Sequence, residues 1–150
     1  MRGNVDIAIQ LFHPSLSSNE IKKHFTAKPD VEFSVGAPWV LPNGKILSGF
    51  HKESYICYEI SGIWECGELE EAVEYTNTFF RKIIDDTSFL DIFVKTGGRI
   101  NYYIGLYINR HDAFNLSPEL LKQCEELHVN LGTEIFLDNT EEESSRKITI

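Results

Sequence analysis

Apolar and polar residues alternate over residues 6–11, and a period of two predicts a half-buried β-strand. Similar patterns predict a second strand over residues 31–35 and a third over residues 54–60. The intervening segment, residues 36–54, carries a Pro-Asn-Gly turn signal at residues 42–44, between two short apolar runs. It is therefore predicted to form a hairpin or a long excursion from the sheet.

Helical periodicity is strongest over residues 68–86, where one stripe of side chains recurs at spacings of three and four residues. The stripe consists of Leu69, Ala72, Val73, Thr76, Phe80 and Ile83. Acidic residues in the first turn and basic residues near the last turn complement the helix dipole. Another helix is predicted over residues 18–25, because Ser17 and Glu20 have the spacing of a capping box.

The stretch from residue 114 to residue 138 repeats this helix-start pattern before a further strand. Ser117 is the expected cap, and Pro118 occupies the first helical position, where its missing amide costs nothing. Residues 89–110 contain two β-rich runs around the sequence Thr-Gly-Gly-Arg at residues 96–99, which predicts a hairpin.

These elements predict an α+β fold: a mostly antiparallel sheet of six or seven strands with about three helices packed on one face. Two strand-helix-strand units are expected, because LSSNEIKK at residues 16–23 resembles LSPELLKQ at residues 116–123. Parallel β-α-β winding is disfavoured. Residues 1–138 are predicted to be a single domain, followed by an acidic, flexible tail over residues 139–150.

The charge of the chain is concentrated in its second half. The net charge is −9, while hydrophobic and aromatic contents of 42% and 12% favour a packed globule. Residues 1–66 hold six Lys and Arg against seven Asp and Glu, whereas residues 67–150 hold eight against sixteen. Such acidity disfavours nucleic acid and anionic membranes as partners and favours encounter with a basic protein.

No targeting signal or membrane-spanning run is recognised in the sequence, so a cytoplasmic location without membrane association is expected. The three cysteines, Cys57, Cys66 and Cys124, form an odd set that argues against a disulfide framework. They are predicted to be reduced and buried. Their spacing does not match a zinc site, and we expect neither a metal nor another cofactor.

Common catalytic motifs are missing from the sequence, so no catalytic residue is assigned. His51 and Glu53 have the residue types of a base and an acid, but on a strand they would share a face without a further group to polarise them. Aromatic residues are better candidates, because interfaces favour Trp and Tyr as rigid anchors. The candidate binding residues are Trp39, His51, Glu53, Tyr55 and Trp64.

Residues 5–138 resemble a bacterial family of domains of unknown function, family 4279. The likeness rests on the Ser-Pro-Glu-Leu-Leu helix start at residues 117–121, on Gly132, and on the strand that ends in an acidic residue over residues 135–138. The resemblance implies a bacterial source and the same α+β fold. It also implies that some relatives are immunity proteins encoded beside toxin genes, but it assigns no functional residue in the middle of the chain.

The leading hypothesis is therefore a noncatalytic protein-binding module, an immunity-type inhibitor that captures a basic toxin domain. The alternative is a small-molecule-binding protein or an enzyme with a pocket near residues 36–64, which would use Trp39, His51 and Glu53. A third hypothesis is a structural component of a larger assembly, formed through an edge strand. The sequence leaves the oligomeric state open.

Overall fold

The structure, a computed structural model, describes residues 4–109 and 111–137. Within these residues it has the predicted α+β fold. The strands are β1 (Asn4–His13), β2 (Val31–Phe33), β3 (Pro38–Val40), β4 (Ile46–Phe50), β5 (Ser54–Glu65), β6 (Arg99–Ile108) and β7 (Val129–Leu137). The helices are α1 (Ser18–Lys22), α2 (Leu69–Ile83), α3 (Ser88–Lys95) and α4 (Pro118–Glu126), with a 3₁₀ turn at Cys66–Glu68. None of these helices is long and apolar enough to cross a membrane. The predicted tail, residues 139–150, lies outside the described residues.

Five strands form the main sheet in the order β2-β5-β1-β6-β7, while β3 and β4 pair separately. The central strand β1 runs antiparallel to both β5 and β6, so the sheet is mostly antiparallel, as predicted. However, β6 and β7 are parallel, and the expectation against parallel winding is wrong for this pair. Helix α4 lies between β6 and β7 in the sequence and returns the chain to the starting end of the sheet, as a parallel connection requires.

Two Ser-capped strand-helix-strand units are present, β1-α1-β2 and β6-α4-β7. In the first, Ser17 Oγ accepts a hydrogen bond from the Glu20 amide at 3.2 Å, and the Glu20 carboxylate accepts one from the Ser17 amide at 2.7 Å. In the second, Ser117 Oγ accepts from the Leu120 amide at 3.2 Å. The units differ in pairing, because β5 lies between β1 and β2 whereas β6 and β7 are direct neighbours.

The segment 88–95 is helix α3, although its sequence predicts a β run. Phe89, Leu90 and Phe93 are buried and have helical spacing, whereas Ile92 between them is exposed. Burial of this one face outweighs the β-propensity of the aromatic and β-branched residues. The predicted hairpin around residues 96–99 is consequently the link between α3 and β6.

All four helices contribute to one core against a single face of the main sheet. The predicted stripe of α2 is confirmed, since all six of its side chains are buried. The alternate side chains of the sheet point the other way, among them Gln10, Phe12, Tyr55 and Arg99, and we call this second surface the open face. The helices therefore leave one side of the sheet available for contacts.

The three cysteines are buried, as predicted. Burial is the main cause that raises the pKa of each thiol, Cys57, Cys66 and Cys124. Each therefore stays protonated near neutral pH and behaves as a small apolar side chain.

Candidate functional site

A row of aromatic side chains crosses the open face near one end of the main sheet. Phe33 of β2 lies opposite Tyr55 of β5, and Tyr55 lies opposite Phe12 of β1. The ring centroids are 5.2 Å apart in the first pair and 5.0 Å apart in the second. Gln10 donates a hydrogen bond to the Tyr55 hydroxyl at 3.1 Å, and burial, as the largest cause, raises the pKa of Tyr55 to about 12. The hydroxyl is therefore uncharged at neutral pH.

His51 and Trp39 extend this row beyond the main sheet. The His51 ring stacks on Phe33, and their ring centroids are 3.7 Å apart. The ring centroids of Trp39 and His51 are 3.9 Å apart. His51 also closes the base of the β3-β4 hairpin, since its amide donates to the Ala37 carbonyl and its carbonyl accepts from the Gly36 amide, both at 2.9 Å. We call Trp39, His51, Phe33, Tyr55 and Phe12 the aromatic row.

An ion pair covers the opposite end of the aromatic row. Arg99 lies opposite Phe12 in the β1-β6 register, and its Cζ atom is 4.4 Å from the centroid of the Phe12 ring. Its two terminal nitrogens donate to the Glu53 carboxylate at 3.1 and 3.3 Å. This two-point geometry orients the guanidinium over the ring. Glu53 is thereby committed to Arg99 and is not paired with His51 as an acid-base couple.

The segment that the aromatic row supports is exposed throughout. Every residue from 38 to 50 is exposed to solvent, and we call these thirteen residues the exposed hairpin. Its large apolar side chains are Trp39, Val40, Leu41, Ile46, Leu47 and Phe50, with Phe50 66% exposed. An isolated two-stranded hairpin is only marginally stable in water. The contacts of Trp39 with His51, and of His51 with Phe33, attach the exposed hairpin to the main sheet and stabilise it.

Glycines shape the exposed hairpin at two positions. Gly44 has a φ of +85° in the turn that the Pro-Asn-Gly sequence predicts, and the Asn43 side chain accepts a hydrogen bond from the Lys45 amide at 3.0 Å. Gly49 has a φ of +103°, and a Cβ atom there would lie 3.6 Å from Trp39 Cδ1. The indole of Trp39 therefore lies across the backbone of the opposing strand.

Charge is sparse on the exposed hairpin. Lys45 is the only charged residue from 38 to 50, and no carboxylate occurs between Glu32 and Glu53 in a chain of net charge −9. An apolar surface without carboxylates can be buried by a partner without the desolvation of a negative charge. This segment thus differs in chemistry from the rest of the protein.

The structure brings together four of the five predicted site residues. Trp39, His51 and Tyr55 belong to the aromatic row, and Glu53 orients Arg99 over its end. Trp64 lies apart, since it packs against Tyr75 of α2 with ring centroids 5.4 Å apart. Its position next to the helix layer identifies it as a packing residue and separates it from the exposed hairpin.

Phe12, Phe33 and Arg99 were missed as site residues by the sequence analysis. Strand alternation shows that Phe33 and Glu32 point to opposite faces of the sheet, but it does not show which strands are neighbours. Only the register of β2, β5, β1 and β6 puts Phe33, Phe12 and Arg99 in one line.

Comparisons of the chain with protein-family models, with curated proteins and with solved structures each find no match. The resemblance to family 4279 stays a prediction.

We expect His51→Ala to loosen the exposed hairpin without unfolding the main sheet, because the substitution removes the ring between Phe33 and Trp39. Aromatic pairs contribute about 0.5–1.5 kcal/mol each, so amide exchange at Gly36 should accelerate by about tenfold. Hydrogen-deuterium exchange measures this. Lys52→Ala, at the exposed neighbouring position, is the control and should leave exchange unchanged. Equal exchange in both variants would show that the ring does not hold the hairpin.

Proposed function

We propose that the chain is a noncatalytic protein-binding module that docks through the exposed hairpin. The observation that carries this proposal is the exposure of six large apolar side chains within thirteen consecutive residues. Large apolar side chains that are exposed together in one segment are typical of interaction sites. The charge-poor composition of the segment also matches the centre of a protein interface, where charged residues are depleted.

The attachment of the exposed hairpin supports the same proposal. Trp39 is 46% exposed, yet one side of its indole packs on His51 and on the Gly49 backbone. A held aromatic side chain loses little conformational entropy on binding, which raises its contribution to affinity. We therefore propose Trp39 as one principal anchor, and Phe50, the more exposed of the two aromatic side chains of the exposed hairpin at 66%, as the other.

The charge of the second half of the chain supports a basic partner. Between residues 67 and 137 the chain has twelve Asp and Glu residues and six Lys and Arg residues. In the described part of that segment, one ion pair joins a carboxylate to an Arg or Lys of the same segment, Arg81 to Glu126 at 3.6 Å. Most of these carboxylates are therefore not neutralised by a described Lys or Arg of the same segment, and they generate a negative field outside the protein. Such a field accelerates encounter with a cationic protein. We propose an immunity-type inhibitor of a basic toxin domain.

The alternative, a small-molecule site near residues 36–64, would require the side chains there to enclose a ligand. Instead, those from residue 38 to residue 50 are all exposed. This outward presentation supports a protein partner over a small molecule.

The test measures binding between the purified chain and each basic protein encoded beside its gene. We expect one of them to form a complex whose affinity falls at least about 100-fold in the double variant Trp39→Ser/Phe50→Ser, since anchors of this kind contribute about 2 kcal/mol or more each. Ile63→Ser is the matched control, because Ile63 is 96% exposed and lies outside the exposed hairpin. Circular dichroism verifies that both variants fold.

Salt separates the acidic contribution from the apolar one. The association rate should fall steeply between about 50 mM and about 500 mM salt, while the dissociation rate changes little. If the toxin domain kills cells equally with and without the chain, the immunity role is wrong. If the double variant binds as tightly as Ile63→Ser, the exposed hairpin is not the docking element.

A further inference from the structure

A second concave site lies on the helix side of the sheet, away from the exposed hairpin. It is a groove between α3 and α4 above the first residues of β6 and β7, with a volume of about 480 Å³. Small-molecule sites in proteins generally have volumes of about 300–1,000 Å³. The groove is therefore large enough for a small organic ligand.

The floor of the groove is apolar. Its lining includes Val94, Ile100, Leu121, Val129 and Leu131. Cys124 lies beneath them, 3% exposed, with a hydrogen-bonding contact to Asn77. Because burial raises the pKa of the Cys124 thiol, this group adds to the apolar floor and is not a nucleophile. The floor thus suits the hydrocarbon part of a ligand.

Glu125 is the acidic residue of the polar rim. Glu125 lines the groove and forms no ion pair with a Lys or Arg among the described residues. His128 also lines it, and its Nε2 atom is 2.5 Å from the Asp91 carboxylate, which compensates any positive charge on the ring. Arg99 is the basic residue of the lining, but its guanidinium is held by Glu53 on the open face. The rim consequently leaves the Glu125 carboxylate without a countercharge.

The backbone adds to this negative potential. Helices α3 and α4 both end at the groove, at Lys95 and Glu126. The carbonyl groups of a last helical turn carry partial negative charge. Lys95 offsets this charge at the end of α3, whereas the last turn of α4 holds no basic residue, so the backbone contribution comes from α4. After α4, His128 adopts a left-handed conformation with a φ of +57°, and its amide donates to the Glu125 carbonyl at 2.9 Å. This turn places the His128 ring beside Asp91 at the groove mouth.

We propose that the groove between α3 and α4 binds a small organic cation that has an apolar body, such as a primary amine on an alkyl or aryl group. The ammonium pairs with Glu125 at the rim, and the apolar body covers Leu121, Val129 and Leu131. A metal ion is a poorer fit, because the described residues contain no group of three or more His, Cys, Asp and Glu side chains that could hold one.

The experiment compares three probes of similar shape and different charge: phenethylamine, 2-phenylethanol and phenylacetate. Binding is measured by titration of the labelled full chain, with amide chemical shifts followed by nuclear magnetic resonance. We expect the amine to perturb residues 121–131 and to bind at least about tenfold more tightly than the acid, because Glu125 attracts one and repels the other. The alcohol should lie between them.

Glu125→Gln keeps the shape of the rim and removes its charge, and it should weaken amine binding by about tenfold. Glu119→Gln is the matched control, since Glu119 is an exposed carboxylate on the same helix that does not line the groove. Equal binding of acid and amine, equal affinity in the two variants, or shifts confined to residues outside the groove would each overturn the proposal. Because the exposed hairpin is not involved, these results are independent of the protein-binding function.

Discussion

Gly98→Ala is expected to lower the free energy of unfolding by about 3 kcal/mol, the upper part of the range for an overpacked core. A Cβ atom at Gly98 would lie 2.6 Å from the Phe93 carbonyl oxygen and 2.5 Å from two carbons of the Phe93 ring. The backbone cannot easily move away, because the Gly98 amide donates to that same carbonyl at 2.8 Å. The Phe93 ring cannot yield either, since it is fully buried. Urea denaturation followed by circular dichroism measures the change.

Gly67→Ala is the matched control for this substitution. A Cβ atom at Gly67 would meet its nearest neighbour, the Ala113 carbonyl oxygen, at 3.8 Å, an ordinary contact distance. The free energy of unfolding of the Gly67→Ala variant should therefore differ from that of the parent chain by less than about 1 kcal/mol. If Gly98→Ala and Gly67→Ala are equally stable, the close approach of Phe93 to Gly98 is not a constraint on the fold.

Protonation of His13 should make the protein less stable in mild acid. The side chain is fully buried, its Nδ1 atom accepts hydrogen bonds from the Leu16 amide at 2.9 Å and the Ser15 amide at 3.1 Å, and Nε2 is 2.8 Å from Thr96 Oγ1. Because Nδ1 accepts, the ring is neutral in the folded state. Burial lowers the pKa of His13 from its ordinary value of 6.5, and the charge of Glu20 opposes this shift in part.

The sign of the pH effect follows from this lowered pKa. The unfolded chain binds a proton on His13 near pH 6.5, whereas the folded chain binds it only at lower pH. The stabilisation by neutral His13 is thus fully present above pH 6.5 and is lost as the pH falls through the lower, folded pKa. Urea denaturation at about pH 7.5 and about pH 5 measures the loss.

His13→Asn is the matched variant, because its amide oxygen can accept from Leu16 but does not titrate. At about pH 7.5 we expect it to be less stable than the parent chain by about 1–3 kcal/mol, since Thr96 loses a partner and the smaller side chain packs less well on Phe93. Between the two pH values it should lose less stability than the parent chain does. An equal loss in both proteins would assign the acid sensitivity to other groups.

Local chemistry was enough to predict the helix starts and the turn of the exposed hairpin. Ser17 and Ser117 cap their helices, and Gly44 forms the turn, because each of these features depends on residues within four positions in the chain. The apolar stripe of α2 was predictable for the same reason, since helical spacing is a property of one segment. Where the information is local, composition and spacing are sufficient.

Helix α3 shows where local propensity was misleading. Phe89, Phe93 and Val94 favour a strand by residue type, but the core accepts them on one face of a helix. The parallel pairing of β6 and β7 was likewise hidden, because a strand pattern does not indicate the direction of its neighbour. Both features depend on contacts between segments that are distant in the chain.

The candidate site was predictable in part. Trp39, His51, Glu53 and Tyr55 were predicted from residue type and position, and the structure brings them together, whereas Trp64 packs on α2. Their connection through Phe33, Phe12 and Arg99 comes from three strand registers. Whether these residues bind a partner stays a prediction that the hairpin variants test.

The sequence by itself determined the α+β class, the caps, the turn and the uneven charge, because these follow from neighbouring residues and from composition. Only the tertiary structure decided that residues 38–50 are exposed, that the aromatic row is continuous, and that a groove lies between α3 and α4. The physical reason is that the exposure of a segment and the position of a groove depend on which segments meet. That choice is made by burial of the whole core and not by any one segment.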